Sequence, residues 1–399
     1  MDQRFRSLFN DQFTPEIYES YQRELSRRLD STFEFRLAET PVFLTDDFKR
    51  RAVESATAIV DQLSDPATIE KMKAAIPERW NTPGMDRLPN FSQVDFAVVN
   101  DNGTLVPKLI ELQGFPSLTA LQVVQRDAWR DTIARMNGLD ADWSCWYSGY
   151  DRESFLELAR RTIVGKQDPA EVILMDIDPP RQKTYPDFAA TKLLFGVDAI
   201  DPTTLVKRGK QLFRNDGSPV RRIYNRVVFD ELINKGIELP FDYREELDVE
   251  WTPHPNWYWV WSKYSLPFLK HESVPKATFV SELEQIPDDL SRYVLKPLFS
   301  FAGGGVNIDP TRADIDAIPL SDRHAWCLQE KIEYEPALKA VDGGGVKIEI
   351  RMMFLRPDDE PKPILAQNLI RLSRGKMLGV DFNKQFTWVG SSVGLSLTS

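Results

Sequence analysis

The spacing of apolar residues changes several times along the chain, and each change predicts an element. Over residues 1–90 the period is helical. Thr45 stands where it can cap a helix whose Phe48, Ala52, Ala56, Ile59, Val60 and Leu63 fall on one face. Ser64-Asp65-Pro66 begins another, with the proline in a first-turn position where its missing N–H costs nothing. From Val94 the period falls to two. Val94, Phe96 and Val98 alternate, Asn100-Asp101-Asn102-Gly103 supplies a turn, and Leu105 to Gln113 returns, so residues 94–113 read as a β-hairpin. Glu111 and Gln113 then share one strand face. Two polar residues ending an apolar strand before Gly114-Phe115-Pro116-Ser117 point to a site at the strand end. Ser117 is the expected cap of a helix from Leu118 to about Arg135.

Residues 166–250 alternate short strands and helices, which predicts a parallel sheet. Val172 to Asp176 is an apolar strand, and Tyr185 to Phe195 is a helix ended by Gly196. Residues 251–264 are the most aromatic stretch, and such clusters are most often packing. Toward the C-terminus, Val346 to Arg356 puts Lys347, Glu349 and Arg351 on one strand face. Ile364 to Ser373 does the same for Gln367, Leu369, Arg371 and Ser373.

With 399 residues the chain is too long for one simple core. The expected regions are 1–165 (helices and hairpin), 166–250 (small α/β) and 251–399. A net charge of -10 argues against nucleic acid or anionic membrane as partner. No apolar run approaches a membrane span, and the N-terminal Met1-Asp2-Gln3-Arg4-Phe5 lacks a signal core, so a cytoplasmic protein is expected. Cys145 and Cys327 read as buried thiols rather than a disulfide. His254, His271 and His324 lack metal-ligand spacing.

The most informative stretch is Tyr293 to Asn307. An apolar run ending in Leu295-Lys296-Pro297 leads through Leu298 to Ala302 into Gly303-Gly304-Gly305. Glycines let backbone N–H groups approach phosphates closely, and a lysine before the loop can neutralise them. A second strand-like run, Ala325 to Glu333, ends in Glu330-Lys331-Ile332-Glu333, followed by Glu335-Pro336. Neither a Walker A lysine nor a Gly-x-Gly-x-x-Gly helix opening is present.

This ordered set resembles the ATP-grasp superfamily, and within it the eukaryotic-type, circularly permuted glutathione synthetases. The resemblance implies an α/β (α+β) ATP-grasp fold, circularly permuted in that family's way, with an inserted small α/β substrate domain. It implies ATP and Mg2+ as cofactors. Lys263 and Lys296 with Gly303, Gly304 and Gly305 would hold the phosphates, the glycine loop closing over them. Gln329, Glu330, Lys331 and Ile332 would frame the adenine at a hinge. Glu111, with Gln113 or Glu349, would hold magnesium. Ser117, Arg226 and Arg371 would orient substrate, the two arginines being the catalytic candidates. The reaction implied is amide formation between a small-molecule carboxylate and an amine, amino-acid- or peptide-like, through an acyl phosphate. A homodimer is left open.

Four departures from the family pattern stand beside this. Gln113 replaces an asparagine, Ser373 a lysine, and Gln93 or Val94 an arginine. No acid lies between Pro297 and Gly303. Gln113, Ser373 and the missing acid support the alternative of an ATP-grasp nucleotide- or peptide-binding protein without ligase activity, and the departure at Gln93 or Val94 argues against the same substrate. A carbohydrate-binding module built on the Trp251 to Trp261 cluster is a further alternative. Asp381 with Asn383 is a rival to Glu111 with Gln113 as the metal pair.

Overall fold

A computed structural model describes residues 1–299, 305–375, 383 and 385–398. The hairpin forms as its alternation dictates, with strands Phe91–Asp101 and Thr104–Gln113. It pairs through its first strand with Gly345–Leu355, which pairs in turn with Ile364–Ser373 and then Gly390–Ser392, all antiparallel. Val94, Phe96, Ile348, Ile350, Met352 and Ile370 cover one face and are fully buried. That face joins the main core with the capped helix Asp46–Leu63, whose Thr45 hydroxyl accepts from the Phe48 N–H. Burying such side chains supplies about 1.5–3 kcal/mol each, the main force fixing the strand register.

The opposite face is polar, and the register sorts it into rows. Gln113, Gln93, Met353 and Gln367 lie across the strands in one row. Glu111, Asp95, Arg351 and Leu369 form the next, and Ala97, Glu349, Arg371 and Ser391 the third.

Two of the four other sheets among the described residues bear on the site. Val172–Met175 and Arg222–Asn225 are the inner strands of a four-stranded parallel sheet, as the alternation of short elements predicts. The helix Tyr185–Phe195 ends at Gly196 in the left-handed conformation. Ala277–Phe279, Trp326–Glu330 and Tyr293–Pro297 form an antiparallel three-stranded sheet, with Lys296 directly opposite Cys327. Both cysteines are buried and unbridged. Among the described residues no helix is long and apolar enough to cross a membrane.

One local expectation fails. Ser117 does not cap the following helix, which spans Thr119–Ile133 and starts from Leu118 in the left-handed region at φ 56. The cap comes from elsewhere: the buried Asp187 carboxylate accepts from the Leu121 N–H at 2.9 Å. A fixed carboxylate at a helix N-terminus also complements the helix dipole, so a serine cap is not needed.

Candidate functional site

The end of the hairpin is the meeting point. A β-bulge sits between Asp95 and Phe96: Asp95 pairs with Glu111 and Phe96 with Leu109, leaving Ile110 as the extra residue. The displaced Ile110 carbonyl accepts from Lys296 Nζ at 3.1 Å. The bulge thus ties the three-stranded sheet to the hairpin and holds Lys296 beside Glu111. Lys263 arrives by a different route. It opens a short 3-10 helix, Lys263–Phe268, whose Ser262 and Ser265 cap each other reciprocally. Both lysines are nearly buried, and burial holds both below the ordinary lysine range. Half-buried Glu111 shows the counterpart. Desolvation pushes its carboxyl up, but Lys263, Arg371, Arg351 and Lys296 together bring it below its ordinary value. Glu111 is therefore an anion surrounded by cations.

A second set of charges lies deeper on the same face. Asp95, fully buried, accepts from Arg351 Nε and Nη2 at 2.6 Å each and from Arg371 Nη2 at 2.6 Å. Arg371 also pairs with Glu349, which accepts from the Tyr334 hydroxyl at 3.3 Å. Desolvation raises the Glu349 carboxyl above its ordinary range, with Arg371 opposing and Asp95 adding to the rise. Glu111, Lys263, Lys296, Glu349 and Arg371 are thus brought into one charged group.

The Gln113 carboxamide donates through Nε2 to Glu111 Oε1 at 3.0 Å, and its Oε1 is buried without a donor. Because the partner is a carboxylate, the amide orientation is fixed, and the unpartnered atom is an oxygen. Such an oxygen beside a carboxylate fits a hard cation such as magnesium. No group of three or more His, Cys, Asp or Glu side chains suited to a metal occurs among the described residues. Phosphate oxygens and water would have to complete any octahedron. The rival pair is less suited. Asp381 lies outside the described residues, and Asn383 Oδ1 already accepts from Ser373 Oγ, Arg374 N and Gly375 N at 2.9–3.1 Å.

Of the three glycines expected to hold phosphates, Gly303 and Gly304 lie outside the described residues. Gly305 has φ +70, where a Cβ would come within 3.1 Å of Pro297. At the expected hinge, Gln329 is buried on the Lys296 side of its sheet, with no acceptor for Nε2. Glu330 and Lys331 are exposed, and Lys331 pairs with Asp309. Ile332 lies in the 331–337 stretch, which has no regular secondary structure.

Ser117 and Arg226 are not in this charged group. They line a neighbouring cleft of about 480 Å³ with Phe115, Asp176, Gln182, Asp230 and Glu231. Arg226 is buried and pairs with Asp187, the carboxylate that caps the Thr119–Ile133 helix. Phe115 borders both this cleft and a smaller one containing Glu111, Gln113 and Lys263.

Sequence reasoning missed Asp176, whose carboxyl burial raises to about 7 against the pull of Arg226. Its signal was weak: an acid ending an otherwise apolar strand, the same pattern that marked Glu111. The raised value has a consequence for stability. An unfolded aspartate titrates near 3.9, so between about pH 4 and 7 the folded chain binds this proton and the unfolded chain does not. The stability contribution of protonated Asp176 is complete below about pH 4 and is lost as pH rises through about 7. In urea melts, wild type is expected to lose stability across this window, and Asp176→Asn to lose less. Equal pH slopes would contradict the assignment.

Trp257, Trp259 and Trp261 are each at most 4 % exposed, so none offers a face for stacking on a sugar. The Gly114 backbone lies against this segment: its N–H donates to the Trp261 carbonyl at 2.6 Å, and a Cβ there would fall 2.3 Å from the Trp257 oxygen.

No family model matches the sequence, and no curated protein matches it. Among solved structures, one that is similar is a glutathione synthetase-like effector (GSS30) from Globodera pallida, in its apo form. It shares 14 % identity and a TM-score of 0.59, over 97 % of this chain and 99 % of the other. Likeness at that identity concerns the fold, and it spans essentially both chains: this protein has a mixed α/β fold similar to that of a glutathione synthetase-like protein.

Proposed function

We propose that the protein is an ATP-dependent carboxylate–amine ligase on a circularly permuted ATP-grasp fold. The observation that carries the reading is the convergence of Lys263 and Lys296 on Glu111 and the unpartnered Gln113 oxygen, at the end of the hairpin. Phosphoryl transfer needs positioning and charge neutralisation more than covalent chemistry from the protein. Here two nearly buried lysines flank a carboxylate, which suits binding an anion together with a cation. Residues 251–399 would bind the nucleotide, 1–165 would contribute the metal strand, and 166–250 the substrate side.

Glu111 and Gln113 Oε1 would hold magnesium, which when bound offsets phosphate charge. Lys263, Lys296 and the glycine-loop amides would hold the phosphates. The residues after Gln329 would frame the adenine. A substrate carboxylate oxygen attacks the γ-phosphorus and ADP leaves. The amine nitrogen then attacks the acyl carbon, loses a proton, and phosphate departs. Arg371 would orient the carboxylate beside the phosphates. Ser117 and Arg226 line the adjoining cleft, and with its acids Asp176, Asp230 and Glu231 that cleft suits a partner bearing an amine.

A second reading is an ATP-grasp nucleotide- or peptide-binding protein without turnover. It is favoured by the Glu349–Arg371 pair, which engages two of the candidate site residues with each other, and by the absence of an acid between Pro297 and Gly303. The discriminating experiment is ATP turnover with magnesium, screened against amino acids, dipeptides and polyamines. The ligase reading expects phosphate release that depends on an acid and an amine together. Nucleotide binding with no release for any pair would favour the second reading.

A further inference from the structure

In the four-stranded parallel sheet, Val172–Met175 comes first in the chain, and the second strand, Asp198–Ile200, lies on one side of it. The third, Arg222–Asn225, lies on the other side, with Glu250–Thr252 beyond it. The strand order therefore reverses between Val172–Met175 and Arg222–Asn225. Open parallel sheets bind ligands outside the carboxyl ends of their strands, at such a reversal. Asp176 and Arg226 stand there, each one position past its strand, and the Arg226 N–H donates to the Met175 carbonyl at 2.9 Å. Both line the cleft of about 480 Å³.

The charges in the cleft narrow the ligand. Among its described residues both cations are already paired, Arg226 with Asp187 and Lys235 with Glu231. A carboxylate on the ligand would therefore meet no unpaired cation. Asp176 is the opposite case. One of its oxygens accepts from the Ile177 N–H at 2.8 Å, and the other has neither a donor nor an ion-pair partner. The residue is only 4 % exposed, yet that second oxygen is not sealed from solvent. Buried charges are normally paired, so a nearly buried carboxyl open to a cleft calls for a donor that brings positive charge. Burial raises this carboxyl, and a bound cation would relieve that cost. We propose that the crevice binds a small molecule carrying a primary ammonium group with no carboxylate beside it, and that Asp176 is its counter-ion. That this molecule is the amine substrate rests on the ligase reading. The crevice adjoins the cleft of Glu111 and Lys263 through Phe115, and the charge of Asp230 acts on Lys263.

The test is a titration of the full chain, labelled with 15N, followed at the Ile177 amide that donates to Asp176. The probes are cadaverine, lysine (the same molecule with a carboxylate added) and glutarate, at matched ionic strength and without nucleotide. The Ile177 resonance is expected to move with cadaverine, to respond less to lysine, and to stay with glutarate. Asp176→Asn should weaken cadaverine binding about tenfold or more, the usual size for a hydrogen bond to a charged group. No movement with cadaverine, or equal binding by Asp176→Asn, would overturn the proposal. Lysine binding as tightly as cadaverine would overturn the exclusion of a carboxylate. Should the variant fail to fold, the three probes on wild type still decide. If Mg-ATP raises the melting temperature while cadaverine leaves Ile177 still, this site falls and the nucleotide reading stands. If cadaverine binds and Mg-ATP gives no shift, the site stands and the ligase reading falls.

Discussion

Asp95→Ala is expected to lower the free energy of unfolding by about 3–5 kcal/mol. The carboxylate is fully buried and shared by two arginines, Arg351 and Arg371. Removing it leaves the buried Arg351 without its ion-pair partner, while Arg371 keeps its pairing with Glu349. Breaking a buried pair from one side costs more than the pair contributes, because the orphaned charge keeps its desolvation penalty. Asp95→Asn retains one acceptor and should fall between the two. Urea denaturation followed by circular dichroism reads the effect as a lower midpoint at unchanged slope. A loss below about 1 kcal/mol would mean that the cluster is solvated and that its geometry is not maintained by these charges.

The largest effect on activity is expected at Glu111. Glu111→Ala should nearly abolish ATP turnover, and excess magnesium should partly restore it, since metal affinity rather than the fold is lost. Glu111 lies near the end of an edge strand and is half-buried, so truncation would remove the proposed ligand without emptying the core. Asp381→Ala should keep most activity, because the oxygen of its candidate partner Asn383 is already committed to the backbone at residues 374 and 375. The reverse outcome would move the metal to the C-terminal pair and remove the support for a permuted order.

Much of the scaffold was readable from the chain because it rests on local rules. The hairpin, the Ile364–Ser373 strand, the Thr45 cap and the helix closed by Gly196 each follow from spacing and nearby residues. Grouping Glu111 with Gln113, and Glu349 with Arg351, needed only strand periodicity. What spacing alone could not reveal depends on partners far away in sequence. Asp187 caps a helix 66 residues earlier, Lys296 reaches a carbonyl 186 residues earlier, and Arg351 meets Asp95 across 256 residues. Ser117 misled because a serine before a helical pattern is a local signal, and a distant carboxylate replaced it. Arg226 looked like a substrate arginine at a strand end. Only tertiary packing reveals that it also anchors Asp187. The bulge at Ile110 leaves the alternation of Val94, Phe96 and Val98 intact, so its effect on Lys296 was invisible in the pattern.

In the proposed function, Lys296 and its neighbours hold the phosphates of a nucleotide. The most direct measurement is the melting temperature of wild type and Lys296→Ala with and without millimolar Mg-ATP. Ligand that binds only the folded state stabilises it by mass action, by about 2.7 kcal/mol at a hundredfold excess over Kd. The wild type is expected to melt several degrees higher with Mg-ATP, and Lys296→Ala to lose most of that gain while melting close to wild type without nucleotide. No shift in the wild type, or an equal shift in the variant, would contradict the account.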